Sequence, residues 1–257
     1  MKIIVCVKAV PTLISKVEII DDGKTLRYES EFLALNESDE YALEAALRLR
    51  KSHGGSITAV TVGRARTEEV LRISLAKGVD RACRIDRDEF DPNNVSYILA
   101  KAISKLTYDL VFTGVESLED MSSQVGVSLA QRLGIPFAYA ATKIELDGSR
   151  GRLVVTKELG GGRHQTVGIR LPALICVQTG GERLSYCSVV NLLQAKRKIV
   201  ERFALADIGI SEDVLDRERN ARFVEIVKPG RKPQAEILDG RPTEIAKAVL
   251  EKIRAAV

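Results

Sequence analysis

The chain has no tryptophan, and aromatics make up only 5% of its 257 residues. Its core must therefore come from valine, isoleucine, leucine and alanine, which suits a sheet covered by helices better than a β-sandwich or an aromatic stacking surface. Histidine is nearly absent too (His53 and His164), and the four cysteines, Cys6, Cys83, Cys176 and Cys187, form no C-x-x-C pair. These gaps exclude a zinc ribbon, a ferredoxin-type cluster and a His-rich metal site. They also leave little for a Ser-His-Asp or Cys-His pair, since neither histidine lies in a nucleophile motif. The thiols read as free cysteines of a reducing cytoplasm. No apolar run approaches the roughly 20 residues that span a bilayer. The opening MKIIVCVKAVP is interrupted by Lys8 and followed by no small-residue cleavage pattern, so it reads as a first strand rather than a signal peptide. A net charge of +4 is too mild to argue for nucleic acid.

What is present is alternation. Residues 2–10 form a nearly continuous apolar run ended by Pro11, the pattern of a strand buried on both faces. A hairpin-like excursion follows, with its turn at DDGK (21–24). Asn36 then caps a helix to about Arg50, with Leu43, Ala46, Leu47 and Arg50 at helical spacing and Gly54-Gly55 as its stop. SITAVTV (56–62) is a strand. Thr67 opens a helix closed by Gly78, ACRI (82–85) is a strand, Asn93 or Asn94 caps a helix, and DLVFTG (109–114) is another strand. A helix from about Gln124 to Leu133 ends at Gly134 and Pro136. This order demands a mostly parallel, doubly wound α/β sheet with right-handed crossovers.

Residues 137–178 read as extended runs around DG and GGG turns, an antiparallel extension of the sheet, with Gly160-Gly161-Gly162 as a flexible connection. From about 183 strand character is lost. A short helix (about Val190–Arg197) runs into Lys196-Arg197-Lys198, then a polar segment leads to a last helix opened by Thr243, with Ile245, Ala248, Val249 and Ile253 in phase. The reading is two parts: an α/β domain over 1–204, and a C-terminal arm over 205–257 that finds its apolar partner elsewhere.

In such a sheet, ligands sit beyond the carboxyl ends of the strands, where helix N-termini offer free amides to anions. The loop after the first strand contains no glycine, and neither G-x-G-x-x-G nor G-x-x-x-x-G-K-[ST] supports a standard dinucleotide or P-loop site. The loop after DLVFTG is the better candidate. Gly114 lets the chain turn, Ser117, Ser122 and Ser123 supply hydroxyls, and Gln124-Val125-Gly126 begins a helix with a small residue in its first turn. An ordinary serine-capped helix start fits the same pattern. So does an ordinary N-cap for Asn36-Glu37-Ser38-Asp39.

Taken together, KIIVCVKAVP, LNESDEYALEAALRLR, DLVFTGVESLEDMSSQVG and VTKELGGGRHQTVGIRLPALICV followed by a helix and AKRK resemble the beta subunit of the electron transfer flavoproteins. The resemblance implies an electron carrier rather than an enzyme, paired with an alpha subunit in a heterodimer that shares FAD and exchanges electrons with a partner dehydrogenase. It implies a Rossmann-like fold with an adenine nucleotide in the beta subunit: AMP in the ordinary branch, or a second FAD in bifurcating members that oxidise NADH. By position, that site would comprise Cys6 through its backbone, Asn36, Glu37, Ser38, Asp39, Val62, and the loop Gly114, Val115, Glu116, Ser117, Leu118, Glu119, Asp120, Met121, Ser122, Ser123, Gln124, Val125 and Gly126. The phosphate would lie on the amides of Ser122, Ser123, Gln124 and Val125. Val189 would dock the partner dehydrogenase. The SSQVG run is closer to the bifurcating and nitrogen-fixation-associated branches, whereas the ordinary branch carries a QAID-type run. A competing class is a non-redox adenine-nucleotide-binding module, which would account for residues 1–135 but not for the segment KELGGG to ICV.

Overall fold

A computed structural model describes residues 1–12, 17–20, 25–28, 33–148, 151–221, 224–225, 227, 230 and 235–256. Along the chain, β1 (Lys2–Cys6) is followed by four short strands, β2 (Ala9–Pro11), β3 (Val17–Ile20), β4 (Thr25–Tyr28) and β5 (Leu33–Leu35). Helices and strands then alternate: α1 (Glu37–His53), β6 (Ser56–Val62), α2 (Glu68–Lys77), β7 (Arg81–Ile85), α3 (Pro92–Ile103), β8 (Leu110–Gly114) and α4 (Val125–Leu133). Next come β9 (Phe137–Asp147), β10 (Arg152–Leu159), β11 (Arg163–Arg170) and β12 (Ala173–Val177). The described chain closes with α5 (Val189–Ala195), β13 (Glu201–Phe203), α6 (Glu212–Glu218) and α7 (Pro242–Ala256).

Nine strands form one sheet in the order β11-β10-β9-β12-β8-β1-β6-β7-β13. Every pairing from β9 to β13 across the sheet is parallel, and β10 and β11 add an antiparallel edge. This is the expected mostly parallel, Rossmann-like sheet with its antiparallel extension. β8 and β12 are buried at all of their residues, as strands covered on both faces must be. Side chains alternate between two cores. Ile3, Val5 and Phe112 pack with Ala42, Leu43, Val70 and Leu71 of α1 and α2. Ile4, Cys6 and Val111 pack with Ile98, Ile103, Leu129 and Ala130 of α3 and α4. No helix among the described residues is long and apolar enough to cross a membrane.

Several local expectations change. The first apolar run is not one strand: β1 ends at Cys6, and residues 9–11 pair instead with β5. The break falls at Lys8, whose backbone N–H donates to the carboxylate of Asp39 rather than to a neighbouring strand. The cap of α3 is Asp91, which accepts the N–H of Asn94 while Pro92 takes the first helical position. Asn93 and Asn94 are inside the helix. The three glycines at 160–162 close the hairpin between β10 and β11, with Gly161 and Gly162 at positive φ. Strand character also persists past 183, because β13 extends the parallel edge beside β7. The expected turn at 21–24 lies outside the described residues, as do Ser149 and Arg150 of the DG turn.

The chain divides into two units, one of Met1–Glu18 with Arg27–Phe223 and one of Ile19–Leu26 with Val224–Val257. The first unit runs past residue 204 because Ile208, Ile210 and Leu215 are buried in the core that holds α3 and α4. In the second unit, α7 carries the apolar stripe read from the sequence; Ile245 and Ala248 are half-buried, while Val249 and Ile253 are exposed.

Candidate functional site

The strand order reverses between β1 and β8: the chain fills one side of β1 with β6 and β7, then crosses to the other side with β8. Such a switch point leaves a crevice at the carboxyl ends of the strands. A cleft of about 770 Å³, counting its open mouth, lies there. Of the residues assigned from sequence, Cys6, Asn36, Asp39, Val62, residues 114–117, Asp120 and residues 122–126 line it. Glu37, Ser38, Leu118, Glu119 and Met121 do not.

Asp39 ties the cleft together. Its two oxygens accept the backbone N–H groups of Lys8 and Gly114, each at 2.8 Å, so one carboxylate joins the ends of β1 and β8 to the first turn of α1. Burial pushes its carboxyl up to about 6, against the opposing pull of those two amides, Asn36 and Lys8. Gly114 is required at this contact, because a Cβ there would stand 2.1 Å from Ser38 Oγ and 2.8 Å from the Asp39 nitrogen.

Asn36 sits at the N-cap position of α1 but its side chain makes no capping bond. Its amide instead donates to Ser38 Oγ and to the Glu116 carbonyl, and its oxygen accepts the Leu118 N–H. Ser38 Oγ also donates to the Glu116 carbonyl, at 2.6 Å. So Ser38 and Leu118, though outside the lining, hold the loop that is inside it.

The loop from β8 to α4 has a charged latch. Lys8 Nζ reaches Ser117 Oγ at 3.1 Å and the carboxylates of Glu119 and Asp120 at 3.2 Å. Burial works against ionising Asp120, but Lys8, the Ser122 amide and the Ser117 hydroxyl hold its carboxyl below the ordinary range. Met121 and Ser123 adopt left-handed conformations, with φ of 49° and 55°. The Ser122 N–H donates to Asp120 and the Ser123 hydroxyl to Glu116. Of the four amides expected to face an anion, that of Ser122 is thus occupied by a side chain of the protein itself. The amides of Ser123, Gln124 and Val125 have no acceptor among the described residues.

α4 begins against the cleft floor. A Cβ on Gly126 would lie 2.6 Å from both Cys176 Sγ and Thr113 Oγ1, so glycine lets the first turn sit directly on β8 and β12. The buried Thr61 hydroxyl, at the end of β6, also lines the cleft and has no hydrogen-bond partner among the described residues. The Cys6 thiol is raised by burial, then by the charge of Asp39 and by Cys176, which leaves it unreactive and fits a backbone role.

Sequence reasoning missed Lys8, Thr61, Glu89 and Phe90, all of which line the cleft. Lys8 carried a signal: a lone cation where the first buried strand stops. Glu89 and Phe90 follow β7, a strand-to-helix loop that the same positional rule would have covered.

Apart from the cleft, α5 exposes apolar side chains. Val189 is 72% exposed and Val190, Leu193 and Ile199 are also largely in solvent, while Ser188 caps the helix by accepting the Asn191 N–H. Of the helix residues only Ala195 is buried.

The chain is similar to known proteins along most of its length. The electron transfer flavoprotein domain is matched over residues 28–208. The chain is 32% identical to electron transfer flavoprotein subunit beta of Methylophilus methylotrophus over 258 aligned residues, covering 98% of each chain. It is 33% identical to the protein of the same name from Bacillus subtilis, covering 92% of this chain and 91% of that one. It is also 29% identical to Protein FixA of Rhizobium meliloti over 93% of this chain and 89% of the relative.

Proposed function

This chain belongs to the electron transfer flavoprotein beta-subunit family, and we propose that it serves as the beta half of a cytoplasmic heterodimer that carries electrons between a dehydrogenase and an acceptor. The alpha subunit would share an FAD with it, and the cleft at the β1/β8 switch point would hold an adenine nucleotide. The observation that carries this reading is the coincidence of three features at one place. These are an open crevice, free amides at the first turn of α4, and a glycine whose absent Cβ brings that turn onto the sheet.

The residues fit such a group. The amides of Ser123, Gln124 and Val125 would face a phosphate, and the orphaned Thr61 hydroxyl and the carbonyl ends of β1 and β6 would face its nucleoside. Lys8, which lines the cleft, would hold the loop closed through Asp120 and add a positive charge there. The flavin, when bound, supplies the electron-accepting and electron-donating chemistry. This chain's residues position it, exclude water and present α5 to the dehydrogenase, whose matching surface would be an apolar pocket with an acidic rim opposite Lys196 and Arg197.

Whether AMP or a second FAD occupies the cleft divides an ordinary carrier from one that bifurcates electrons from NADH; the SSQVG run in the loop before α4 is what supports the second reading. A non-redox nucleotide module would need only residues 1–135, whereas the family match runs through the antiparallel extension to residue 208. The test is to express the chain with its alpha subunit, denature the complex and count released nucleotides. One FAD and one AMP per heterodimer supports the ordinary carrier, and two FAD supports bifurcation. A colourless chain that associates with no flavin subunit would overturn both.

A further inference from the structure

The exposed helix α5 needs something other than core burial to fix its direction. It has seven residues, too few to be stable alone, and buries only Ala195. The segment before it, residues 178–188, has no regular structure. Yet it is fastened at successive points. Gly181 packs on the Thr142 carbonyl so closely that a Cβ would stand 2.2 Å from that oxygen. Glu182 pairs with Arg48 at 2.8 Å. Ser185 is gripped by an ion pair between α1 and α2: Lys77 Nζ donates to the Ser185 carbonyl at 2.6 Å, and Glu44 Oε1 accepts both the Ser185 N–H at 3.0 Å and its hydroxyl at 2.6 Å.

Lys77 is the centre of this clamp. Its side chain is only 3% exposed, and its ammonium also meets Glu44 at 2.7 Å and Glu40 at 2.8 Å. A buried ion pair of this kind contributes little net stability, since desolvation offsets the attraction, but it fixes the register of whatever it holds. At the other end of α5, Arg72 of α2 donates to the carbonyls of Ala195 and Lys198, and Lys198 Nζ reaches the Leu75 carbonyl at 3.4 Å. Both ends of the docking helix are therefore tied to α2, the first through a charged pair shared with α1.

We propose that Lys77, acting with Glu44 through Ser185, is a positioning residue that sets the orientation in which α5 presents Val189 to the partner dehydrogenase. The inference rests on the docking role proposed for α5. Neither group touches the nucleotide cleft, so loss of the clamp leaves cofactor binding alone.

The test uses the full alpha–beta complex with a flavin dehydrogenase already shown to reduce the wild-type protein. Lys77→Met, Lys77→Arg, Glu44→Gln and Val189→Ala are compared by KM for the complex, kcat, flavin content and hydrogen exchange over residues 183–198. Lys77→Met is expected to raise KM about tenfold at unchanged kcat and flavin content, with faster exchange confined to 183–198. Lys77→Arg recovers part of the loss, because it keeps the charge. Combining Lys77→Met with Val189→Ala adds little to either alone, because a misdirected anchor has already lost its contact. If Val189→Ala raises KM but Lys77→Met and Glu44→Gln do not, the positioning role is overturned while docking at α5 stands. If Val189→Ala leaves KM at the wild-type value, the docking reading itself fails. A Lys77→Met complex that loses flavin and melts early, with Glu44→Gln wild-type in KM and exchange, would reduce Lys77 to a folding role and also overturn the proposal.

Discussion

The backbone N–H of Gly114 donates to Oδ1 of Asp39 at 2.8 Å, an interaction that spans 75 positions of the chain and pins the end of a central strand to the start of a helix. The other oxygen of the same carboxylate is taken by Lys8, so both acceptors are in use. An asparagine at 39 keeps one acceptor and sets an N–H against an N–H at the other. Asp39→Asn is therefore expected to cost about 1–3 kcal/mol of stability, measured by chemical denaturation.

The pH dependence of that cost has a definite sign. Burial raises the Asp39 carboxyl to about 6 from an ordinary 3.8, so the fold prefers the protonated form. Its contribution is fully present below the ordinary value and is lost as pH rises through 6. Two units correspond to about 3 kcal/mol. The stability advantage of wild type over Asp39→Asn should shrink by about 2 kcal/mol between pH 4.5 and 7.5, the rest of the loss falling below pH 4.5. An advantage constant over that range would show that the carboxyl is not raised.

Gly126→Ala places a Cβ 2.6 Å from the side chains of Thr113 and Cys176. The first turn of α4 must lift off the sheet, at about 1–3 kcal/mol. Nucleotide content of the purified complex should fall with it. Full content in the variant would argue against the cleft as the nucleotide site.

Val189 is largely exposed, so truncating it removes little packing within the chain. Val189→Ala should leave flavin content and melting temperature near wild type and weaken docking of the dehydrogenase by about 1–2 kcal/mol, roughly tenfold in affinity. Electron transfer at the wild-type rate under limiting partner would remove Val189 from the docking surface.

The apolar stripe of α7 leaves Val249 and Ile253 in solvent. Deleting the chain from Thr243 onward should weaken association with the alpha subunit, read as lost subunit in size-exclusion chromatography. Full stoichiometry and an unaltered melting temperature would end the idea of an arm.

The central fold was legible because strands buried on both faces leave an apolar run and the crossover helices leave a 3.6-residue period. β13 was not, since at the sheet's edge Glu201 and Phe203 are only half-buried and Arg202 is exposed, which leaves neither pattern. The break after Cys6 was hidden because its cause, Asp39, is 31 residues away. The loop to α4 could be found by its hydroxyls and glycines. That Asn36 would grip this loop rather than cap its own helix could not, because both uses need the same residue at the same place.

The bonds that shape the cleft join residues far apart in sequence: Asn36 to Glu116 across 80 positions, Asp39 to Gly114 across 75, and Lys8 to Asp120 across 112. Closing such loops costs chain entropy that the bonds recover only after β8 has settled beside β1. The cleft is consequently a late product of folding. A nascent chain that has emerged only as far as α3 can already own β1, β6 and β7, and still has no crevice to offer a ligand.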